Sequence, residues 1–114
     1  MVYELKTKDY DETIGRAKGY ALVDFKAKWC TPCKLQKPVL ELLSVKHEGR
    51  IAFFTCDIDE EIQLVNRFNI FSVPTMLLFK DGQVVSKIIG YKSVAVLEDI
   101  IMKQIQRDNI PAMA

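Results

Sequence analysis

Two cysteines two residues apart, in Trp29-Cys30-Thr31-Pro32-Cys33-Lys34, are the residues of this 114-residue chain best placed to do chemistry. They stand between an apolar run, Tyr20–Phe25, and a segment with helical patterning that begins near Pro32. At a helix N-terminus, unpaired backbone N–H groups and the positive end of the dipole favour a thiolate over a thiol. A lowered thiol pKa makes the nucleophile available at neutral pH. The spacing also puts the second sulfur within reach of the first, so it can attack a mixed disulfide and release a reduced product. Pro32 preorganises the first helical turn, where its missing N–H costs nothing. Two blander readings are half of a zinc site and a pair of inert buried thiols. A four-ligand zinc site needs two more Cys or His, and Cys56 and His47 are the ones left. His47 falls near a helix end and reads as a surface residue. Cys56 reads as a small buried hydrophobe in a strand. Redox chemistry is the preferred reading.

The elements that must position this pair alternate in type. Val2–Leu5 is a short edge strand. Asp9 begins a capping-box-like start, with Tyr10, Ile14 and Ala17 at helical spacing and Gly19 as the stop. Tyr20–Phe25 is nearly continuously apolar, as in a central strand covered on both faces. In the helix from Pro32 to about Lys46, Leu35, Val39, Leu42 and Leu43 lie on one helical face, and Pro38 introduces a kink. Ile51–Asp57 is a second central strand. Asp59 caps a helix carrying Ile62, Val65 and Phe68 on one side, with Asn69 near its end. Thr75–Lys80 and Gln83–Ile89 form a hairpin through Asp81-Gly82, because both turn positions need positive φ. The last helix spans about Ser93–Arg107, with Val94, Leu97, Ile101 and Ile105 inward. The pattern is α/β: parallel strands with right-handed crossovers, extended by an antiparallel hairpin. One domain over residues 1–107 follows, with 108–114 as a frayed tail.

Composition narrows the function classes. Sixteen Lys+Arg against fifteen Asp+Glu give a formal net charge of +1, which argues against a nucleic-acid or membrane-surface binder. Three cysteines cannot all pair within one chain, so a disulfide-framework protein is excluded. No apolar run approaches the ~18–20 residues of a membrane span. The N-terminus lacks the basic and apolar regions of a secretory signal, so, with Met1 as the native start, the chain is expected in the cytoplasm.

The chain resembles the thioredoxin family over nearly its whole length. The resemblance is carried by Leu22-Val23-Asp24-Phe25, Trp29 to Lys34, Pro38, Val73-Pro74-Thr75, Phe79-Lys80-Asp81-Gly82 and Gly90, in the right order and separations. It implies the thioredoxin fold, a mixed five-stranded sheet flanked by four helices. It implies that Cys30 attacks and Cys33 resolves, with Cys30 exposed at the helix start and Cys33 a turn inward. Asp24 would be a buried acid moving protons to and from Cys33, with burial raising its pKa into a useful range. Val73-Pro74 would form a cis-proline turn facing the disulfide, although an X-Pro bond taken alone is usually trans. A target segment would pair with the Val73 backbone in the manner of an added strand. Trp29, Thr31, Ile58, Val73, Pro74, Gly90 and Tyr91 would surround the sulfurs as a docking patch.

The function implied is general protein-disulfide reduction by a monomer with no bound cofactor. Electrons would come from a thioredoxin reductase, either an NADPH-dependent flavin enzyme or a ferredoxin-linked one. No GxGxxG or phosphate-cradling lysine motif is present in the chain itself. The alternatives are a disulfide oxidase or isomerase, or a non-enzymatic binding subunit of the same fold. Three departures stand out. Thr31 replaces the common Gly of the active-site pair and stiffens the turn. Phe71 and Tyr91 make the docking rim more aromatic. Lys26 stands where many members have Trp, and Thr55 where they have a Lys near the buried acid. Residues two apart on a strand share a face, so Lys26 is either a substitute partner for Asp24 or a solvated lysine.

Overall fold

A computed structural model of the chain describes residues 1–110. Its five strands are β1 (Val2–Glu4), β2 (Tyr20–Lys26), β3 (Ile51–Asp57), β4 (Thr75–Lys80) and β5 (Gln83–Ile89). They form one mixed sheet in the order β1-β3-β2-β4-β5. The pairs β1–β3 and β2–β3 are parallel, while β2–β4 and β4–β5 are antiparallel. The helices are α1 (Thr31–Lys46), α2 (Ile62–Arg67) and α3 (Val94–Asp108), and a helical segment precedes β2. This is the thioredoxin fold, and β1 lies at an edge as expected. The part of the expected frayed tail at 111–114 lies outside the described residues.

Strand alternation sends successive side chains to opposite faces, so β2 feeds two cores at once. Val23 and Phe25 join Tyr10, Ile14, Phe54, Leu64 and Phe79 on the α2 side. Leu22 joins Val39, Leu40, Leu43, Met76, Leu78 and Leu97 on the side covered by α1 and α3. Cys56 belongs to the first core and is fully buried there.

Four local expectations are corrected. The first helical segment is a 3-10 turn, Thr7–Asp9, running into a π-helical turn, Asp11–Gly15. The segment packs through Tyr10 and Ile14, whose anchoring in the aromatic core outweighs regular α geometry. The buried stripe of α1 is Cys33, Gln36, Val39, Leu40, Leu43 and Ser44, whereas Leu35 and Leu42 are exposed. The helix is rotated so that Cys33, not Leu35, faces the sheet. His47 is buried rather than superficial, because its Nε2 lies 2.7 Å from Glu98 Oε2 across the α1–α3 contact. Finally, α2 starts at Ile62, after Glu61, and not at an Asp59 cap. The backbone N–H of Asp59 donates to Asp57 Oδ1 (2.9 Å), so the chain turns sharply after β3 before the helix begins.

Candidate active site

The parallel strand β2 ends at Lys26, and the chain crosses through Ala27-Lys28-Trp29 into α1. This strand-to-helix passage sets Cys30 as the N-cap of α1, with extended backbone. In place of the usual hydroxyl or carboxylate cap, Cys30 Sγ accepts the Cys33 N–H at 3.2 Å. Such a donor stabilises negative charge on that sulfur, which is the requirement for a nucleophilic thiolate. Cys30 and Cys33 are in disulfide-bonding contact, with Cα atoms 5.3 Å apart.

Cys33 is 4% exposed and Cys30 only 5%. The expectation of an exposed Cys30 is thus corrected: Ala27, Ile58 and Val73 pack around the two cysteines. Ile58 is held there by its N–H, which donates to the Lys26 carbonyl at 2.9 Å. The Val73–Pro74 peptide is cis and brings the Val73 carbonyl oxygen to 3.7 Å from Cys30 Sγ. Thr75 secures that turn by donating its hydroxyl hydrogen to the Ser72 carbonyl at 2.7 Å.

The other residues expected at a docking patch differ in exposure. Trp29 is 67% exposed, and its indole N–H donates to Asp59 Oδ2 at 3.0 Å. This ring is therefore a tethered surface group, not core. Thr31 and Pro32 are exposed on the first turn of α1. Gly90 has φ +88° and donates its N–H to the Pro74 carbonyl at 2.8 Å, which ties the end of β5 to the cis turn. Its positive φ requires glycine; a Cβ there would meet only the Lys92 Nζ, at 3.7 Å. Tyr91 and Phe71 are exposed, Phe71 to 89%.

Asp24 lies on the α1 face of β2, between Thr55 of β3 and Met76 of β4. It is 1% exposed, and its Oδ1 has no hydrogen-bond partner among the described residues. Burial pushes its carboxyl up to about 7, with the Lys26 charge pulling in the opposite direction. Lys26 is half-buried on the same face of β2, in register with Asp57. Asp24 and Cys33 line one cleft of about 480 Å³, together with Lys26, Lys34 and Lys37. The acid and the inner cysteine thus border the same cleft.

Neither candidate for completing a zinc site comes near the pair. His47 caps the far end of the 16-residue α1, roughly 24 Å along the axis at ~1.5 Å per residue. Cys56 faces the α2 core, on the opposite side of the sheet from Cys33 and Asp24. Burial and the nearby Glu61 and Asp57 push its thiol up to about 12, so it is held as a neutral thiol.

Sequence reasoning passed over Asp59 as the Trp29 partner and Gln36 altogether. Gln36 is fully buried one turn beyond Cys33, where its Nε2 donates to the Lys92 carbonyl and its Oε1 accepts the Lys92 N–H, both at 2.9 Å. The available signal was its spacing: Cys33, Gln36, Leu40 and Leu43 run down one helical face.

Comparison with known proteins agrees with this geometry. A sequence model of the family described as Thioredoxin matches residues 1–103. Curated proteins called thioredoxin from Staphylococcus aureus, among them those of strains Mu50, MW2 and N315, are 35% identical over 104 residues. That match covers 91% of this chain and 98% of each relative. With a Cys-x-x-Cys pair at the N-terminus of α1, a cis-proline turn against it and the sequence match over most of its length, the chain belongs to the thioredoxin family of thiol–disulfide oxidoreductases.

Proposed function

We propose that the protein works in the reducing direction, as a general protein-disulfide reductase. The Cys30 thiolate attacks one sulfur of a target disulfide and forms a mixed disulfide, releasing the first target thiolate. Cys33 then gives its proton to the Asp24 carboxylate and attacks Cys30 Sγ, releasing the second target thiolate. Two electrons pass to the target, and the Cys30–Cys33 pair is left as a disulfide. A reductase of the NADPH–flavin or ferredoxin-linked kind returns the pair to the dithiol. Trp29, Thr31, Ile58, Val73, Pro74, Gly90 and Tyr91 receive the target, with its extended backbone laid against Val73.

The observation that carries this reading is the position of Cys30 Sγ. It sits at the N-cap of α1, accepting the Cys33 N–H, and faces the Val73 carbonyl. Neither residue between the cysteines is His, the residue commonly found there in strongly oxidising and isomerising relatives, which favours the reductant over the oxidase. A cytoplasmic setting, where thiols are kept reduced, suits such a dithiol.

A Cys33→Ser variant tests the order of attack, since it should accumulate mixed disulfides through Cys30, detected as dithiothreitol-sensitive adducts. Wild-type protein should reduce insulin disulfides in a coupled assay with an NADPH–flavin or ferredoxin-linked reductase. A variant that traps nothing, beside a wild type inert with dithiothreitol as donor, overturns the reading. A measured potential well above the cytosolic poise would instead establish the oxidase.

A further inference from the structure

The hydrogen bonds of Gln36 complete a ring around the disulfide. Starting at the pair, Cys30 Sγ meets the Val73 carbonyl at 3.7 Å, and Val73 is joined to Pro74 by the cis peptide. The Pro74 carbonyl accepts the Gly90 N–H at 2.8 Å. Two residues on, both main-chain groups of Lys92 are taken by the side-chain amide of Gln36, which sits on the same helical face as Cys33. The Gly90–Lys92 segment is therefore tied at one end to the cis-proline turn and at the other to the cysteine-bearing helix.

Lys92 lies in the connection between β5 and the Ser93 cap of α3, where the sheet and helix ladders do not satisfy its backbone. Buried main-chain groups need partners, and a primary amide offers a donor and an acceptor at the spacing of another peptide. An apolar residue at position 36 would pack in the same space but would leave this connection free to shift against α1. The Lys92 side chain adds a closing contact, with its ammonium donating to the Ile89 carbonyl at 2.8 Å.

We propose that Gln36 is a positioning residue for target docking, holding Gly90 and Tyr91 in register with the cysteines through the backbone of Lys92. The inference rests on the docking role given above to Gly90 and Tyr91. It predicts a residue that governs how protein targets are gripped without touching the sulfurs.

The test compares wild type with Gln36→Met, which keeps side-chain length and loses both amide bonds. With dithiothreitol as donor, KM for insulin should rise about tenfold with kcat little changed. The rate at which the reduced protein cleaves a small aromatic disulfide, which makes no use of the rim, should stay within twofold of wild type. Amide hydrogen exchange at Lys92 should accelerate in the variant, which reports the lost clamp directly. Gln36→Glu keeps the acceptor for the Lys92 N–H and loses the donor, so it should fall between the two; it serves as well if the methionine variant does not fold. An unchanged insulin KM with faster Lys92 exchange overturns the docking role, and so does an equal loss toward both substrates. Wild-type protein inert toward insulin and small disulfide alike would instead sink the reductase reading itself.

Discussion

Asp24 is buried on a sheet face shared with Leu22, Met76 and Leu78, where burial disfavours its charged form. Its carboxyl is raised to about 7, so the folded chain keeps a proton that the unfolded chain has already lost. Stability therefore falls as pH rises from the ordinary carboxylate range towards 7, and the full cost is present above it. Asp24→Asn should stabilise the protein at pH 8 by on the order of 3 kcal/mol and have little effect at pH 4, as read from urea unfolding. Equal effects at the two pH values would contradict the assignment of the shift to this residue. Lys26 opposes the rise in Asp24, so Lys26→Ala should move the pH midpoint of Cys33 alkylation upwards in the reduced protein. An unmoved midpoint in Lys26→Ala, with a profile altered in Asp24→Asn, would leave Lys26 a solvated lysine.

Among the elements, the turn and strand bounds of the β4–β5 hairpin were legible because their signal is local, whereas the register shift between Leu78 and Phe79 was not. Asp81-Gly82 is a turn whose two residues have φ of +49° and +80°, and the strands on either side have the expected bounds. What the dipeptide could not announce is where the turn docks. The Asp81 N–H donates to the Gly19 carbonyl at 2.9 Å, and Asp81 Oδ1 accepts the Gly19 N–H at 2.7 Å. A Cβ on Gly82 would run into the Gly15 carbonyl oxygen, whereas one on Gly19 would meet nothing within 4 Å. Both glycines have positive φ, so the comparison separates strain from collision. Gly19→Ala should cost about 1 kcal/mol and Gly82→Ala about 3 kcal/mol or more in denaturant unfolding. Similar costs at both sites would mean that the tip of the hairpin moves away from the N-terminal segment without penalty. The helices were legible in existence and less so in phase. The apolar residues of α1 fit more than one stripe, and a buried Gln36 and His47 do not look like core in a hydrophobic pattern.

At the scale of the whole molecule, one sheet carries two cores that share strands but not side chains. Leu43 of α1 fills one and Leu64 of α2 the other, both almost fully buried. Each Leu→Ala change should cost about 2–5 kcal/mol through lost burial and a residual cavity. Because the two sites share no neighbours in these clusters, the double variant should equal the sum of the singles to within about 0.5 kcal/mol. A large excess in the double variant would show the cores to be coupled through the sheet.

The order of strands and helices, the Cys30–Cys33 pair at a helix start and the Asp81-Gly82 turn were determined by the sequence alone. Each depends on periodicity or on residues a few positions apart, which a linear pattern records directly. Tertiary structure decided which side chains meet across the fold. It packed Ile58 and Val73 against Cys30, set Trp29 against Asp59, and buried His47 against Glu98. It also closed the Gln36–Lys92 clamp, whose partners are 56 residues apart. Such pairings follow from how α1 is rotated on the sheet and how three separate connections converge at its N-terminus. No spacing in the chain encodes that convergence, because it arises only when both cores are packed at once.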